Sequence, residues 1–382
     1  MRINKDRIVS EFTKLVSIDS RSFEEKEISV YIKKQLVSLG VSVFEDNAGK
    51  LLNGSCGNIY AFKEGDISLN PLLFCAHMDT VEPCNKKEVV IDEDGVIRSN
   101  GKTILGADDC SGIAAILEAL QTIKEQNISH RPIEVLFTIA EEVYCKGIQH
   151  FDFSKIKSKE AYILDLTGPV GFAAFKAPTI LSFTVTINGK SSHAGFAPEN
   201  GIHSIVAAAN AISTLSMGRI DEETTLNIGI IEGGIATNIV PNQCIVKGEI
   251  RSYSHKKSIE LSEDIKQKFI DSAVKIGATA DFKVEIHCEA YEIPIDHTVV
   301  KRFKRISNEQ KLPTTLVETF GGSDNNVLAE RGINGIVIAN SMNKCHSCEE
   351  YTTIEELCNI AELTTSLMIY INYFLTVLFS IF

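Results

Sequence analysis

The stretch Pro71-Leu-Leu-Phe-Cys-Ala-His-Met-Asp-Thr-Val81 carries the strongest structural signal in this chain. Residues 72–76 form a short apolar run, which is typical of a buried strand. His77 and Asp79 follow it directly, and open α/β sheets place their ligands at the carboxyl ends of such strands. A metal-binding histidine usually donates its other ring N–H to a carboxylate, and Asp79 is near enough in sequence to accept it. Taken alone, the stretch could equally be a core histidine beside a turn aspartate.

Length and composition indicate a globular protein with more than one domain. The chain has 382 residues, of which 44% are hydrophobic and 23% are charged, a normal globular balance. This length exceeds one ordinary hydrophobic core, so we expect two domains. The formal net charge is -12, which disfavours the phosphate backbone of a nucleic acid as a partner.

The two ends of the sequence bear on its location. The first residues are charged and lack the apolar core of a secretory signal peptide. Ten cysteines without such a signal indicate free thiols in a reducing compartment, so we expect a cytoplasmic protein. The stretch Leu363–Phe382 is apolar and almost uncharged, and its length suits a membrane span. We expect a final helix that packs on the sheet, with membrane contact of this tail as the alternative.

The pattern of apolar runs predicts a mostly parallel sheet that is interrupted by a second domain. Up to residue 177, strand-like runs alternate with helical stretches, as in a parallel sheet flanked by helices on both faces. Residues 181–187 then alternate with period two, which is typical of a strand exposed on one face. We therefore predict an α/β catalytic domain in two parts, 1–177 and 294–382, with a compact α+β domain inserted at 178–293.

Carboxylates and imidazoles follow several of these apolar strands. They are His77 and Asp79, Asp108 and Asp109, Glu141 and Glu142, Asp165, and His346. A sheet gathers its strand ends along one edge, and so many like charges cannot lie together without cations. Two divalent ions would resolve the repulsion, and imidazole with carboxylate ligands suits zinc, while cobalt and manganese fit the same ligands. Some of these residues could instead be independent helix caps.

Together these motifs resemble those of the di-zinc exopeptidase and acylase family, in particular its peptidase T-like branch. The family also contains glutamate carboxypeptidase and aminoacylase. The resemblance covers nearly the whole chain, in motif order and in spacing. The motifs are His77-Met-Asp-Thr-Val81, Leu105-Gly-Ala-Asp-Asp109, Glu141-Glu142, Leu164-Asp-Leu166 and the late His346. The resemblance implies a catalytic domain of the predicted fold, with the inserted domain as a lid and dimerisation domain.

The same resemblance implies a ligand set for two Zn²⁺ ions. Asp108 would bridge the ions, and the peptide bond that follows it is expected to be cis. His77 and Asp165 would complete one site. Glu142 and His346 would complete the other.

Two further carboxylates are implied in catalysis. Asp79 is expected to orient His77, and Glu141 is expected to be the general base acting on a water that bridges the metals. Such a carboxylate takes a proton from the attacking water and returns it to the leaving amine. Glu141 and Glu142 are adjacent and would face opposite ways on a regular strand, so a bend or bulge is needed for both to serve one site.

Five residues match substrate-binding positions of the family. His193 would support the oxyanion, either in its own subunit or in the partner subunit, and Asn238 and Arg251 would contact the substrate. Arg251 could clamp a substrate carboxylate bidentately. Gly321 and Gly322, in a Gly-Gly-Ser-Asp motif, would allow a close approach of the backbone. The alternatives are a surface turn histidine at 193 and a solvated strand arginine at 251.

The function implied is that of a metallopeptidase that removes N-terminal residues from short peptides, in particular tripeptides. Within the family, the alternative is an N-acyl amino acid hydrolase or a dipeptide-directed carboxypeptidase on the same metal site. Outside it, the alternative is a membrane-tethered binding protein with a decayed site. The family's lid is often a dimerisation surface, so a homodimer through the inserted domain is expected. Cys110 and Cys145 depart from the family pattern, and we predict thiol-sensitive activity.

Overall fold

The computed structural model of the protein describes residues 2–369. The helices are α1 (Lys5–Val16), α2 (Lys26–Ser38), α3 (Ala48–Leu51), α4 (Ala107–Glu125), α5 (Lys146–Gln149), α6 (Ser204–Ile212), α7 (His255–Lys275), α8 (Thr298–Glu309), α9 (Asp324–Glu330) and α10 (Ile354–Met368). The strands are β1 (Ser42–Glu45), β2 (Ile59–Lys63), β3 (Leu72–His77), β4 (Val89–Ile91), β5 (Val96–Ser99), β6 (Ile133–Thr138), β7 (Glu160–Thr167), β8 (Phe172–Ala177), β9 (Thr179–Asn188), β10 (Gly218–Arg219), β11 (Thr224–Gly233), β12 (Gln243–Ser252), β13 (Thr279–Cys288), β14 (Tyr291–Glu292), β15 (Thr315–Glu318), β16 (Asn334–Met342) and β17 (Tyr351–Thr353).

The largest sheet of the described chain has nine strands in the order β1-β2-β6-β3-β7-β16-β8-β14, and β15 pairs with β8. The four central strands β6, β3, β7 and β16 are parallel to one another. β1, β2 and β8 pair antiparallel at the flanks. All residues of β3 and β6 are buried, which is why these strands are apolar runs without alternation. The predicted α/β fold class is confirmed.

Helix α4 is the central helix of this domain. Most of its residues are buried, because α1 and α10 pack against it and β3 and β16 lie beneath it. Glu118, a buried acid in the middle of this helix, accepts hydrogen bonds from Arg7 of α1, at 2.6 Å from Nε and 2.8 Å from Nη2. This two-point ion pair fixes the N-terminal helix to the core.

The described chain divides into two compact units. The first takes in the described parts of Met1–Phe175, Glu292–Glu318 and Ser323–Phe382, and the second consists of Lys176–Tyr291 and Thr319–Gly322. The second unit contains an antiparallel sheet of the order β10-β11-β12-β9-β13, against which α6 and α7 pack. Burial alternates along most of β9, as the period-two pattern of its sequence predicts.

One segment differs from the predicted division of the chain. Thr319–Gly322, which the sequence analysis assigned to the catalytic domain, belongs to the second unit. Two contacts hold it there: Arg251 donates from Nη1 to the backbone oxygen of Phe320 at 2.7 Å, and the rings of Tyr253 and Phe320 lie 4.6 Å apart. Because these contacts join residues about 70 positions apart, no local sequence pattern predicts them.

The apolar tail is described only in part. Its first residues belong to α10, where Leu363 and Leu367 are fully buried. Between residues 2 and 369, no helix combines the length and the apolar character that a membrane span requires. Residues 370–382, on which the alternative of membrane contact depends, lie outside the described part of the chain.

Candidate metal centre

Neighbouring elements of the first unit bring the five predicted ligands together. His77 ends β3, Asp165 lies in β7, and Glu142 follows β6 after a short bend. Asp108 lies at the start of α4, and His346 lies in the loop after β16. Because β6, β3, β7 and β16 are adjacent and parallel, their carboxyl ends meet at one edge of the sheet.

Asp108 lies between the two imidazoles. Its Oδ1 is 3.0 Å from Nε2 of His77, and its Oδ2 is 3.3 Å from Nε2 of His346. The His77 nitrogen is also 3.8 Å from Oδ1 of Asp165, and the His346 nitrogen is 3.0 Å from Oε2 of Glu142. Each oxygen of Asp108 thus faces one of the two groups that the family resemblance implies, although the individual ligand roles stay a prediction.

The donor set fits two divalent cations. Oε1 of Glu142 is buried and has no hydrogen-bond partner among the described residues. Within residues 2–369, the ion pairs of Asp108, Glu142 and Asp165 are with histidine alone, not with lysine or arginine. Donor atoms of His77, Asp108 and Glu142 lie within 4.8 Å of one another. Buried carboxylates without a positive partner are costly, and bound cations remove that cost.

The pKa values of the cluster show the same crowding. Burial raises the pKa of Asp165 well above its usual value, and the charge of Glu141 adds to this shift. Burial also raises the pKa of Glu142, with the charge of Asp108 as the next cause. Burial acts on Asp108 in the same direction, but hydrogen bonds from the two imidazoles outweigh it and lower the pKa of Asp108. A cation would favour the ionised form of all these carboxylates.

The bend predicted before the two glutamates is present. β6 ends at Thr138, and Ala140 has a φ of 52°, in the left-handed region. Two buried side chains accept the backbone N–H groups that the bend removes from the sheet. Oδ1 of Asn58 accepts from Ile139, and Oε1 of Glu25 accepts from Ala140, each at 3.0 Å.

Asp79 contacts this glutamate turn more closely than it contacts His77. Its Oδ1 accepts from the backbone N–H of Glu141 at 2.9 Å, and its Oδ2 accepts from Glu142 at 3.2 Å. Ser22 donates to the same Oδ2 at 2.7 Å. Nδ1 of His77 lies 2.9 Å from the backbone oxygen of Asp79 but 3.5 Å from the carboxylate. The backbone oxygen of Asp79 is therefore the nearer partner of the imidazole, and its carboxylate holds the backbone of Glu141 and Glu142.

The peptide bond between Asp108 and Asp109 is cis, as predicted. Asp109 is fully buried, and its carboxylate binds the chain beside two of the predicted ligands. Its Oδ2 accepts from the backbone N–H of His77 at 3.0 Å, and its Oδ1 accepts from the side-chain amide of Asn340 at 2.5 Å. These bonds connect the end of β3 with the start of α4 and with β16.

Two supporting acids escaped the sequence analysis. Glu350 is buried and accepts from the backbone N–H groups of Gly106 and Asp108, at 2.6 and 3.0 Å. Its only sequence signal is its position four residues after His346. Asp324 is also buried and accepts from Oγ1 of Thr138 at 2.5 Å. Asp324 ends the Gly-Gly-Ser-Asp motif, for which the family resemblance implies a role of the two glycines only.

The carboxylate of Glu141 is flanked by Cys145 and Asp324. Sγ of Cys145 is 3.3 Å from Oε1 of Glu141, and donor atoms of the three residues lie within 4.8 Å of one another. Burial raises the pKa of Glu141 well above its usual value, and the charge of Asp324 contributes to the rise. A carboxyl with a raised pKa can release a proton as well as accept one, as a general base that later acts as an acid must.

His193 and Asn238 lie on adjoining segments of the second unit. The backbone N–H of Ala194 donates to the backbone oxygen of Asn238 at 2.9 Å. Nδ1 of His193 accepts from the backbone N–H of Phe196 at 3.2 Å, and the two rings stack at 4.3 Å. With Nδ1 accepting, Nε2 carries the ring proton and is the nitrogen that can donate to a substrate.

The other predicted substrate contacts of the second unit, Arg251, Gly321 and Gly322, have neighbours within that unit. Arg251 pairs with Glu249, at 2.6 Å from Nε and 3.1 Å from Nη2, because residues two apart on β12 share one face. A substrate carboxylate would have to displace Glu249 from this fork. A Cβ at Gly322 would lie 2.7 Å from Cδ1 of Ile180, so this glycine is required for packing. A Cβ at Gly321 would meet only Oγ1 of Thr319, at 3.3 Å.

Comparison with known proteins finds two families that match part of the chain. Residues 177–276 match the peptidase dimerisation domain of the M20 peptidases, and residues 58–207 match peptidase family M28. The first match falls on the second unit, and the second includes four of the five predicted ligands.

Three relatives are similar over nearly their whole length. The YqjE protein of Bacillus subtilis is 37% identical over 96% of this chain and 98% of its own. The crystal structure of aminopeptidase PepT from Bacillus cereus has 37% identity and a TM-score of 0.89, with 96% of this chain and 98% of that chain covered. The structure of a tripeptidase from Staphylococcus aureus has 33% identity and a TM-score of 0.93, with the same coverage of 96% and 98%.

Proposed function

The chain belongs to the peptidase T-like branch of the di-zinc exopeptidase family, and we propose that it removes the N-terminal residue of tripeptides with two Zn²⁺ ions bound. The observation that carries this proposal is Asp108 between two imidazoles, at 3.0 and 3.3 Å, beside the adjacent Glu141 and Glu142. The aminopeptidase of Bacillus cereus and the tripeptidase of Staphylococcus aureus support the choice of substrate.

Zinc fits the donors better than a harder cation does. Two imidazole nitrogens and three carboxylates are typical zinc ligands, whereas magnesium and calcium prefer oxygen alone. We assign His77 and Asp165 to one ion, Glu142 and His346 to the other, and Asp108 to both. When bound, the two ions supply Lewis acidity, which lowers the pKa of water and polarises the scissile carbonyl.

Glu141 performs the proton transfers. Its carboxylate accepts a proton from the attacking water as the water oxygen bonds to the scissile carbonyl carbon. The same carboxyl then gives that proton to the nitrogen of the leaving peptide as the C–N bond breaks. The backbone amide of Glu141 is anchored to Asp79, so its side chain starts from a fixed point.

The isosteric variant Glu141→Gln tests this role. It keeps the size of the side chain but cannot accept the proton, so kcat for a free tripeptide should fall by about 10³-fold or more. Elemental analysis should still find two ions per chain. Glu64→Gln, an exposed position, is the matched control and should keep full activity. Turnover of Glu141→Gln within tenfold of the unmodified enzyme would remove Glu141 from this role.

A substrate panel separates the proposal from its rivals. Free tripeptides should be cleaved faster than dipeptides and than tripeptides with a blocked amino group. An N-acyl amino acid hydrolase would instead prefer the blocked compounds, and a carboxypeptidase would release the last residue. Equal rates on free and blocked tripeptides would overturn the aminopeptidase assignment.

We also infer that the protein is a cytoplasmic homodimer formed through the second unit. The dimerisation-domain match at residues 177–276 supports the dimer, and ten free cysteines fit a reducing compartment. Sedimentation analysis at micromolar concentration should give twice the chain mass of 42.0 kDa. A monomer at that concentration would contradict the dimer, and recovery of the protein from a membrane fraction would contradict the location.

A further inference from the structure

A cavity of about 340 Å³ in the first unit is lined by four basic side chains. They are Arg131, Lys301, Arg302 and Arg305, and Thr298 at the start of α8 adds to the lining. The chain as a whole has a formal net charge of -12, so a gathering of four cations is not a consequence of general composition. Mutual repulsion opposes such a cluster unless a negative group offsets it.

The cavity lies at the edge of the sheet opposite the metal centre. Arg131 comes just before β6, and its Nη1 lies 3.4 Å from the backbone oxygen of Asn70, just before β3. His77 is the last residue of β3, and Glu141 lies three residues beyond the end of β6. Six strand residues separate the two edges, which is about 20 Å at the usual rise per residue. The cavity is therefore a separate site.

Acidic side chains balance only part of this charge. Arg302 pairs with Glu160 at 2.7 Å, and Arg305 lies 3.9 Å from Glu309. The other two lining cations, Arg131 and Lys301, form no ion pair with any acid of the described chain. The cavity thus holds two positive charges in excess.

The energetic cost of this unbalanced positive charge is clearest at Arg131. Its Nε is buried and has no hydrogen-bond partner within residues 2–369. Burial lowers the pKa of Arg131, and the charge of Arg302 lowers it further. A guanidinium keeps its proton in proteins, so this unfavourable environment is not relieved by deprotonation. An anion in the cavity would relieve it.

We propose that this cavity binds a phosphate group, either free or carried by a small ester. The two unbalanced cations match the charge of a phosphate near neutral pH, about -1.5 to -2. Arg131 lines the cavity, and its guanidinium has the planar fork of donors that phosphate oxygens prefer. The first turn of α8 also faces the cavity through Thr298, and the positive end of its dipole favours an anion.

Thermal unfolding of the metal-loaded protein tests the proposal. Sodium phosphate at pH 7.5 should raise the unfolding midpoint by about 3 °C or more relative to sodium chloride of equal ionic strength, because the ion binds the folded state alone. Glycerol 3-phosphate at the same concentration tests the ester form. A larger shift with the ester would assign the site to an organic phosphate, and no shift with either compound would overturn the proposal.

Variants that each remove one positive charge test whether the stabilisation by phosphate arises in this cavity. Arg131→Gln and Lys301→Gln should each lose at least half of the phosphate-dependent shift. Lys304→Gln removes an equal charge from an exposed position of the same helix outside the cavity lining and should keep the full shift. Phosphate can also bind at the metal centre, but that binding would stabilise all three variants alike, and an equal shift in all three would overturn the proposal.

A second measurement excludes a merely structural arginine. Without phosphate, Arg131→Gln should unfold at the same temperature as the unmodified protein or higher, because repulsion is relieved. A drop of several degrees without phosphate, with an unchanged response to phosphate, would show that Arg131 serves the fold and not a ligand. Lys301 is exposed, so its variant remains informative in either case.

Discussion

Asp79 could either hold the backbone of Glu141 and Glu142 in place or orient the imidazole of His77. Replacing Asp79 by asparagine distinguishes these two roles. Both carboxylate oxygens face N–H groups, those of Glu141 at 2.9 Å and Glu142 at 3.2 Å. An asparagine offers one oxygen and one NH₂ group, so one backbone donor must face another donor. A hydrogen bond to a charged group contributes about 1.5–3 kcal/mol, and the remaining bond becomes neutral and weaker. We expect a total loss of about 2–4 kcal/mol at the glutamate turn.

This loss should appear in turnover more than in metal binding. A shift of the general base by about 1 Å reduces turnover by about 10²-fold, so kcat of Asp79→Asn should fall by about 30- to 1000-fold. Nδ1 of His77 is closer to the backbone oxygen of Asp79, at 2.9 Å, than to its carboxylate, and asparagine keeps that backbone contact. Zinc content should therefore stay at two ions per chain at micromolar free zinc.

The assay combines tripeptide hydrolysis with elemental analysis of the same dialysed sample. Ser22→Ala is the matched control, because it removes only the neutral donor to Oδ2 of Asp79, and its kcat should fall less than tenfold. If Asp79→Asn instead loses zinc and regains normal kcat when excess zinc is supplied, the carboxylate acts through His77. That result would refute the role in the glutamate turn.

Three further changes test other parts of the structure. Arg7→Ala leaves the buried carboxylate of Glu118 without its charged partner and should lower the free energy of unfolding by about 3 kcal/mol in a urea titration; an unchanged midpoint would show that the pair is not fixed in solution. Burial raises the pKa of Glu25 to about 7 from 4.5, so its stabilising contribution is complete below pH 4.5 and is lost as pH rises through 7. The free energy of unfolding of Glu25→Gln, measured relative to that of the unmodified protein, should therefore rise by about 3 kcal/mol as the pH goes from 5 to 8. A difference that stays constant over this pH range in urea titrations would contradict the raised pKa. His346→Ala should lower the zinc content from two ions to about one per chain while the His77 side keeps its ion, and retention of two tightly bound ions would remove His346 from the ligand set.

Most of the residues proposed for the metal site could be predicted from local sequence patterns. Each predicted ligand follows an apolar run or opens a buried helix, and the parallel order of the central strands is enough to bring them to one edge. The bend before Glu141 also followed from local geometry, because adjacent residues on a regular strand cannot serve one site.

The supports of the site could not be predicted in the same way. Glu350 binds the backbone of Asp108 from 242 positions away, and Asn340 binds Asp109 from 231 positions away. Such contacts depend on how the elements pack, which a single sequence does not specify. Arg251 is a different case, because its partner Glu249 lies only two positions away on the same strand, where a local pattern is enough to predict the pair.

The place of β16 in the sheet has a consequence for biosynthesis. This strand is synthesised after β7 and β8, yet it lies between them in the sheet, and the loop after it carries His346. A nascent chain that stops before residue 334 lacks one of the four central strands of its own sheet and one predicted ligand of the metal site. The sheet of the first unit is therefore complete only after residue 342 has been made, and until then one edge of the apolar β7 lacks its partner and is prone to aggregation.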